Sequence, residues 1–206
     1  MVHKCRAPVA VLAAAAMTYA CATGAQETKS ADEFFEVDAA TLLGAPEPDL
    51  DGVDDDVAAA ARHGRYLVEL LGCAACHTDG ALIGEPSEER RLAGSSIGIA
   101  IDNPLDWPFP SVVYPPNLTP DEATGLGGWS DADIARAIRA GADRHGRRLT
   151  PVMPWPGYVK LSEADTEAVV TYLRHLPAVK HNVPKRVPRG RKAREEFVYF
   201  GVYQAR

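Results

Sequence analysis

The sequence predicts an all-α fold with about three main helices joined by long loops. Apolar residues recur at helical spacing from about Val57 to Leu71, which predicts the first helix. Two later segments, beginning at Ser130 and Ser162, open with a residue suited to a helix N-cap and an acidic residue three positions on. Residues 78–128 are rich in Pro and Gly and keep no sustained period, which predicts loops and short turns.

Each helix has its own end signal. Gly72 follows the first helix, and Gly141 follows the second, whose buried stripe contains Ile134 and Ile138. The third carries apolar residues from Ala168 to Leu173 and is expected to end before Pro177. With 46% hydrophobic residues in 206, the chain has enough apolar material for the core of one domain with extensions.

The segment Cys73-Ala74-Ala75-Cys76-His77 is the most specific motif, because C-x-x-C-H is the pattern to which c-type haem is attached. The two thiols can form thioethers with the porphyrin, and the adjacent imidazole can bind the iron. A structural zinc site usually needs four ligands, and no second Cys pair is present. A thioredoxin-like dithiol would follow a strand, whereas this motif follows a predicted helix. We therefore expect one covalently bound haem c.

The flanking regions suggest how the chain is organised. Residues 1–25 have the basic start and short apolar run of an export signal. Two processing sites remain open: Gln26 as the mature N-terminus, or a lipoprotein signal ending at residue 20 that makes Cys21 a lipidated N-terminus and a membrane tether. Residues 26–56 are acidic and are expected to form a flexible linker. Residues 57–188 are expected to form the haem domain, and residues 189–206 a basic C-terminal tail.

Charge narrows the classes of partner. The formal net charge is −6, and removal of Lys4 and Arg6 with the signal would take it to −8, so nucleic acid is not expected as a partner. The C-terminal tail is basic although the chain as a whole is acidic, and its charge would favour binding to an acidic redox protein or to anionic lipid. Equally, it suits a solvated extension without a partner. An exported, periplasmic location fits a Cys pair committed to thioethers.

Met153 is the expected second axial ligand of the iron. Met1 and Met17 lie in the signal, so Met153 is the only methionine of the processed chain, and prolines at 151 and 154 restrict its loop. Histidine is the alternative ligand, with His145 in a nearby loop as the best of the remaining histidines. His/Met ligation keeps the iron six-coordinate in both oxidation states and raises its potential, as suits an electron carrier.

Further contacts to the haem are expected from the loops. A carbonyl near Pro86 is a candidate acceptor for the second ring nitrogen of His77. Apolar and aromatic side chains of the long loop are expected to pack on the porphyrin, and four side chains are candidate donors to its propionates. The first group is Trp107, Phe109, Val112, Val113 and Tyr114, and the second is Trp129, Tyr114, Arg139 and Arg144.

Beyond CxxCH, a series of linked motifs resembles the cytochrome c domains in the multihaem subunits of bacterial alcohol and gluconate dehydrogenases. The resemblance runs from Gly64 to about Pro188. It includes PNLTPD at 116–121, TGLGGWSD at 124–131, AIRAG at 137–141 and LTPVMP at 149–154. It implies a cytochrome c fold, thioethers at Cys73 and Cys76, axial ligands His77 and Met153, and electron transfer in the periplasm. The stretches 85–91 and 107–110 fit the pattern least.

Three functions follow as expectations. The first is a non-enzymatic electron carrier that cycles between Fe(II) and Fe(III), with a dehydrogenase or a terminal oxidase as redox partner. The second is the cytochrome subunit of a membrane-associated dehydrogenase complex; because those subunits carry three haem domains and this chain has one, membership does not follow from the resemblance. The third is a haem sensor or peroxidase with an open axial site. Neither a Ser-His-Asp pattern nor a nucleotide-binding motif suggests other catalysis.

Overall fold

A computed structural model describes residues 44–201 of the chain. The expected export signal, both processing sites, and residues 26–43 of the expected linker lie outside this range. Within it, no helix is long and apolar enough to cross a membrane.

Five α-helices occur in the described residues: α1 Asp55–Leu70, α2 Cys73–His77, α3 Asp131–Ala140, α4 Trp155–Tyr158 and α5 Glu163–Arg174. The three longest are the three main helices that the sequence predicts. Ser130 and Ser162 cap α3 and α5 by accepting a backbone N–H three residues on, and α3 ends at Gly141 in the left-handed conformation. The short α2 and α4 were not predicted as helices.

The main core lies where α1 packs against α5. Gly64 allows the close approach, since a methyl group there would overlap the carbonyl of Ala168 and lie 2.7 Å from Cβ of Tyr172. The side chains of Val68 and Tyr172 are fully buried at this contact. One core cluster joins α1, α2, α3 and α5, so the segment carrying the Cys pair is held by the longest helices.

A small three-stranded sheet joins the region predicted as loop, which supplies two of its strands, to the predicted tail, which supplies the third. Its strands are β1 Gly98–Ala100, β2 Val112–Val113 and β3 Phe197–Val198, in the order β2-β1-β3. The pairing of β1 with β2 is antiparallel and that of β1 with β3 is parallel. Strands this short carry no readable alternation, so long-range pairing rather than local pattern determines them.

Two boundaries differ from the sequence prediction. Residues 44–54 were expected in the flexible linker, but they pack on the helical domain: Ala45 is buried, and the backbone N–H of Asp49 donates to the carbonyl of His175 at 2.7 Å. The hydroxyl of Tyr172 also donates to the carbonyl of Pro46 at 2.8 Å. The expected tail 189–206 is likewise part of the domain at Phe197–Val198, which form β3.

The expectation that the long loop packs on the porphyrin is wrong for Val112. This side chain is fully buried by protein, in a second cluster with Ala100 and Tyr114 that Val187 and Phe197 cover. Trp107 and Phe109 are half exposed beside the basic segment.

Candidate haem-binding site

The Cys pair lies at a break between two helices. Gly72 adopts a left-handed conformation after α1, and the chain restarts at once as α2, which runs from Cys73 to His77. Neither cysteine forms a disulfide, and both are half buried. Burial raises the pKa of the Cys73 thiol to about 11 and also raises that of Cys76. A reactive redox dithiol has a lowered thiol pKa, so these cysteines do not fit that class.

The imidazole of His77 is buried and fixed in orientation. Its Nδ1 donates to the carbonyl of Pro116 at 2.8 Å, which leaves Nε2 to bind a metal. Burial lowers the pKa of His77, and the bond to Pro116 opposes that shift. Burial therefore favours the neutral imidazole, which is the form that ligates iron. The acceptor expected near Pro86 is wrong: it lies instead in the segment 116–121.

Gly94 brings the acceptor to His77. The N–H of Gly94 donates to the His77 carbonyl at 2.8 Å, and its φ is +84°. A methyl group at this position would lie 2.7 Å from the backbone nitrogen of Asn117 and 2.8 Å from the carbonyl carbon of Pro116. Hence, the absence of a side chain at Gly94 lets the two backbone segments meet.

Asn117 fixes the same loop from its other side. Its side chain is buried, donates to the carbonyl of Val179 at 2.7 Å, and accepts from the N–H of Thr119 at 2.8 Å. The motif PNLTPD thus has a structural reason: its prolines and Asn117 hold the carbonyl that orients His77.

Met153 lies in a half-buried turn directly before α4. The N–H of Trp155 donates to the Met153 carbonyl at 2.8 Å. From the end of α4, the hydroxyl of Tyr158 donates to the carbonyl of Leu71 at 3.1 Å, so the methionine loop is tied to the start of the Cys motif. Burial, with the nearby thiols of Cys73 and Cys76, raises the pKa of Tyr158 to about 12.

The other histidines of residues 44–201 have their own roles. His63 bonds Asp165 at 2.8 Å, His175 bonds the carbonyl of Thr171 at 2.7 Å, and His181 bonds the carbonyl of Ala93 at 2.9 Å. His145 lies exposed in its loop beside Arg144.

Two buried donors near the methionine loop have no partner among the described residues: Nε of Arg139 and Nε1 of Trp155. The ring of Trp155 covers Gly141, which follows α3 two residues beyond Arg139. Buried donors without acceptors are rare in folded proteins. A carboxylate, such as a haem propionate, would satisfy both, so the residues present fit a haem at this place.

Sequence reasoning named Arg139 but did not find Trp155. The other three expected propionate donors are engaged elsewhere. Arg144 stacks on the ring of Trp129, with 5.8 Å from its guanidinium carbon to the ring centroid, and Tyr114 lies in the cluster beside the sheet. The sequence feature that could have identified Trp155 as a donor is its position two residues after Met153.

Comparison with known proteins identifies the family. The family model "Cytochrome c" matches residues 61–177. One of the nicotinate dehydrogenase subunits of Pseudomonas putida is 35% identical over 133 residues, which are 65% of this chain and 10% of that protein. The gluconate 2-dehydrogenase cytochrome c subunit of Pantoea cypripedii is 33% identical over 132 residues, 63% of this chain and 26% of that subunit.

A third relative, the fructose dehydrogenase cytochrome subunit of Gluconobacter japonicus, is 36% identical over 118 residues, 56% of this chain and 22% of that subunit. The chain thus spans between a tenth and about a quarter of the length of these three relatives. The family match covers more than half of the chain and contains both the Cys pair and Met153. The chain belongs to the cytochrome c family, and its cofactor is covalently attached haem c.

Proposed function

We propose that this protein is a periplasmic electron carrier with one haem, attached through Cys73 and Cys76 and ligated by His77 and Met153. The observation that carries the proposal is the buried His77, whose Nδ1 bond to Pro116 leaves Nε2 for iron. Haem supplies the redox chemistry through iron that cycles between Fe(II) and Fe(III).

The protein's part would be to hold His77 and Met153, the two ligands of the iron, in place through each electron transfer. His77 keeps one tautomer because its proton is committed to Pro116, and that bond also raises the basicity of Nε2. Helices α1 and α5 share one buried core cluster with the motif helix α2, and His77 is itself buried. The imidazole therefore has little freedom to turn. A ligand that does not move adds little reorganisation to each transfer.

Met153 would be the second ligand of the iron. Its loop leads into α4, whose Tyr158 donates to the carbonyl of Leu71, two residues before the Cys motif. The four other histidines of residues 44–201 are bonded elsewhere or exposed. A thioether favours the ferrous state, so it raises the potential relative to a second histidine. Two protein ligands also leave no open position for peroxide or a gas, which favours a carrier over a peroxidase or a sensor.

Arg139 and Trp155 are the residues we assign to the propionates. Their unpaired N–H groups lie in a buried place where a carboxylate gains most from a donor. These bonds offset negative charge beside the iron, so Arg139→Gln and Trp155→Phe should each change the reduction potential. Loss of the positive charge at Arg139 should stabilise the more positive ferric state, and so lower the potential.

Absorption spectroscopy tests the ligand assignment. The purified protein should contain one haem per chain, and the oxidised form should show a sulfur-to-iron band that disappears in Met153→Ala. Val152→Ala, one residue away with an exposed side chain, is the matched control and should keep the band. A spectrum of bis-histidine type, or ready binding of carbon monoxide by the reduced wild-type protein, would exclude His77/Met153 ligation.

The relatives favour a second candidate, the cytochrome subunit of a dehydrogenase complex. All three relatives above are dehydrogenase subunits by name. In this case the chain would carry electrons and leave substrate oxidation to another subunit. Stable co-purification with a dehydrogenase subunit would support this candidate, whereas exchange with a dehydrogenase or a terminal oxidase only in transient encounters would support the free carrier.

Export and anchoring are tested at the N-terminus. Mass spectrometry of the mature protein from the periplasmic and membrane fractions should find a chain that begins at Gln26 or at a lipidated Cys21. A chain that begins at Gln26 excludes the lipid tether, and an intact Met1 in both fractions excludes export by this signal.

A further inference from the structure

A loop on the outside of the sheet, residues 101–110, lies against the basic segment 185–194. The N–H of Gly190 donates to the carbonyl of Phe109 at 2.9 Å. The guanidinium carbon of Arg189 lies 4.8 Å from the ring centroid of Trp107, and its Nε donates to Asp102 at 3.0 Å. Loop and segment therefore form one surface, built from parts of the chain about 80 residues apart.

Large apolar side chains project from this loop into solvent. Leu105 is 78% exposed, Trp107 50% and Phe109 47%. Together they form the apolar tip of the loop. Proline at 104, 108 and 110 restricts the backbone, so the three side chains are presented with little entropy left to lose on binding.

The backbone of the tip offers few unpaired donors. Its three prolines have no N–H, and the N–H groups of residues 105, 106 and 107 all donate to Asn103, at 3.0, 3.2 and 3.0 Å. The side chain of Asn103 also donates to the carboxylate of Asp106 at 2.8 Å, which turns that charge back towards the loop. A segment with few free N–H groups loses little when it leaves water for a phase that offers no acceptors.

Positive charge lies in the segment that packs beside the tip. Segment 185–194 carries six exposed basic side chains in ten residues: Lys185, Arg186, Arg189, Arg191, Lys192 and Arg194. The whole chain has a net charge of −6, so this cluster is segregated from an acidic background. Arg189 pairs with Asp102, so the negative charge of one of the two carboxylates in the loop is neutralised.

From these observations we propose that loop 101–110 and segment 185–194 bind the surface of an anionic lipid bilayer. The apolar tip enters the interface, where Trp and Phe are favoured, and the basic side chains contact the headgroups. The paired backbone favours lipid over a protein partner, since a protein partner would offer acceptors for which the tip has few free donors. The proposal is independent of the haem ligands and would bring the cytochrome to the membrane with or without an N-terminal anchor.

Vesicle sedimentation tests the proposal. The probe is phosphatidylcholine vesicles with and without about one third phosphatidylglycerol, and the protein is the full haem-loaded chain with Cys21→Ser, so that no acyl group contributes. We expect binding to the anionic vesicles only, and release at about 0.5 M salt, where charges are screened. Leu105→Ser with Trp107→Ser should weaken binding at least about tenfold.

Two matched pairs of substitutions separate this surface from general exposure and charge. Tyr66→Ser with Leu70→Ser removes apolar side chains that are 58% and 66% exposed on α1, and should leave binding unchanged. Arg191→Gln with Lys192→Gln should weaken binding about tenfold to thirtyfold. Arg62→Gln with Lys160→Gln removes the same charge elsewhere and should have a much smaller effect. Each variant must keep the haem spectrum of the wild type.

Failure of wild-type protein to sediment with anionic vesicles would overturn the proposal, as would equal effects of the surface pairs and their controls. A further outcome also overturns it: loop variants that bind vesicles normally but slow electron exchange with an acidic redox protein would assign the surface to a protein. None of these results bears on ligation by His77 and Met153, which the haem spectrum reports separately.

Discussion

Replacing Gly94 by alanine should weaken both the fold and the orientation of His77. Gly94 has a φ of +84°, which costs an alanine about 1–2 kcal/mol. The added methyl group would also lie 2.7–2.8 Å from backbone atoms of Pro116 and Asn117, and such overpacking costs about 1–3 kcal/mol more. The free energy of unfolding should therefore fall by about 2–5 kcal/mol in total.

Gly52→Ala supplies the control for Gly94→Ala. Gly52 has a φ of +71° with nothing within 4 Å of an added methyl group. Gly52→Ala should therefore show only the cost of the left-handed backbone, without overpacking. Denaturant unfolding of both oxidised variants gives the difference, expected at about 1–3 kcal/mol. Displacement of the Pro116 carbonyl should also make the His77 imidazole less basic and raise the reduction potential of Gly94→Ala, but not of Gly52→Ala. Equal losses of stability with unchanged potentials would refute the role given to Gly94.

Three further predictions concern the scaffold. Gly64→Ala should destabilise the protein by about 3 kcal/mol or more, or prevent haem loading, because its methyl group would overlap a backbone carbonyl of α5; thermal unfolding measures this. Tyr172→Phe should cost about 0.5–1.5 kcal/mol and speed proteolysis near Pro46, because it removes the hydroxyl bond that holds residues 44–50. Finally, bonds from the hydroxyl and N–H of Thr124 hold the pKa of Asp121 below its ordinary value of 3.8, so this contribution to stability is present above pH 3.8 and is lost as pH falls through the lower folded-state pKa. Asp121→Asn should flatten that part of a pH titration of stability, and an unchanged acid limb would contradict the assignment.

The three main helices could be predicted from local sequence signals. Serine caps, terminal glycines and a regular apolar stripe lie within a few residues of each helix end, so they can be read without tertiary structure. The CxxCH motif is equally local, because thioether chemistry requires two thiols at a fixed separation beside an imidazole. The resemblance to cytochrome c domains rested on such segments, and the family match confirms it.

Contacts between residues that are distant in sequence could not be predicted from the sequence. The acceptor for His77 lies 39 residues away at Pro116, and an expectation limited to nearby loops placed it at Pro86. The pairing of β3 with β1 and the packing of residues 44–54 likewise depend on contacts across much of the chain. Acidic composition predicted a flexible linker as far as residue 56, but one buried alanine and a few backbone bonds are enough to hold its last part.

Arg139 and Trp155 show why the rule that protein groups satisfy buried polar atoms does not hold beside a cofactor. A buried guanidinium nitrogen and a buried indole N–H that find no acceptor among residues 44–201 would count as defects in an ordinary core, since each forfeits the hydrogen bond it made to water. Both become reasonable if the core includes a dianionic ligand, because the cost of burial is then offset by charge-assisted bonds. Gly141, directly after α3, leaves room for the Trp155 ring. These two unsatisfied donors support our proposal that Arg139 and Trp155 bind the haem carboxylates.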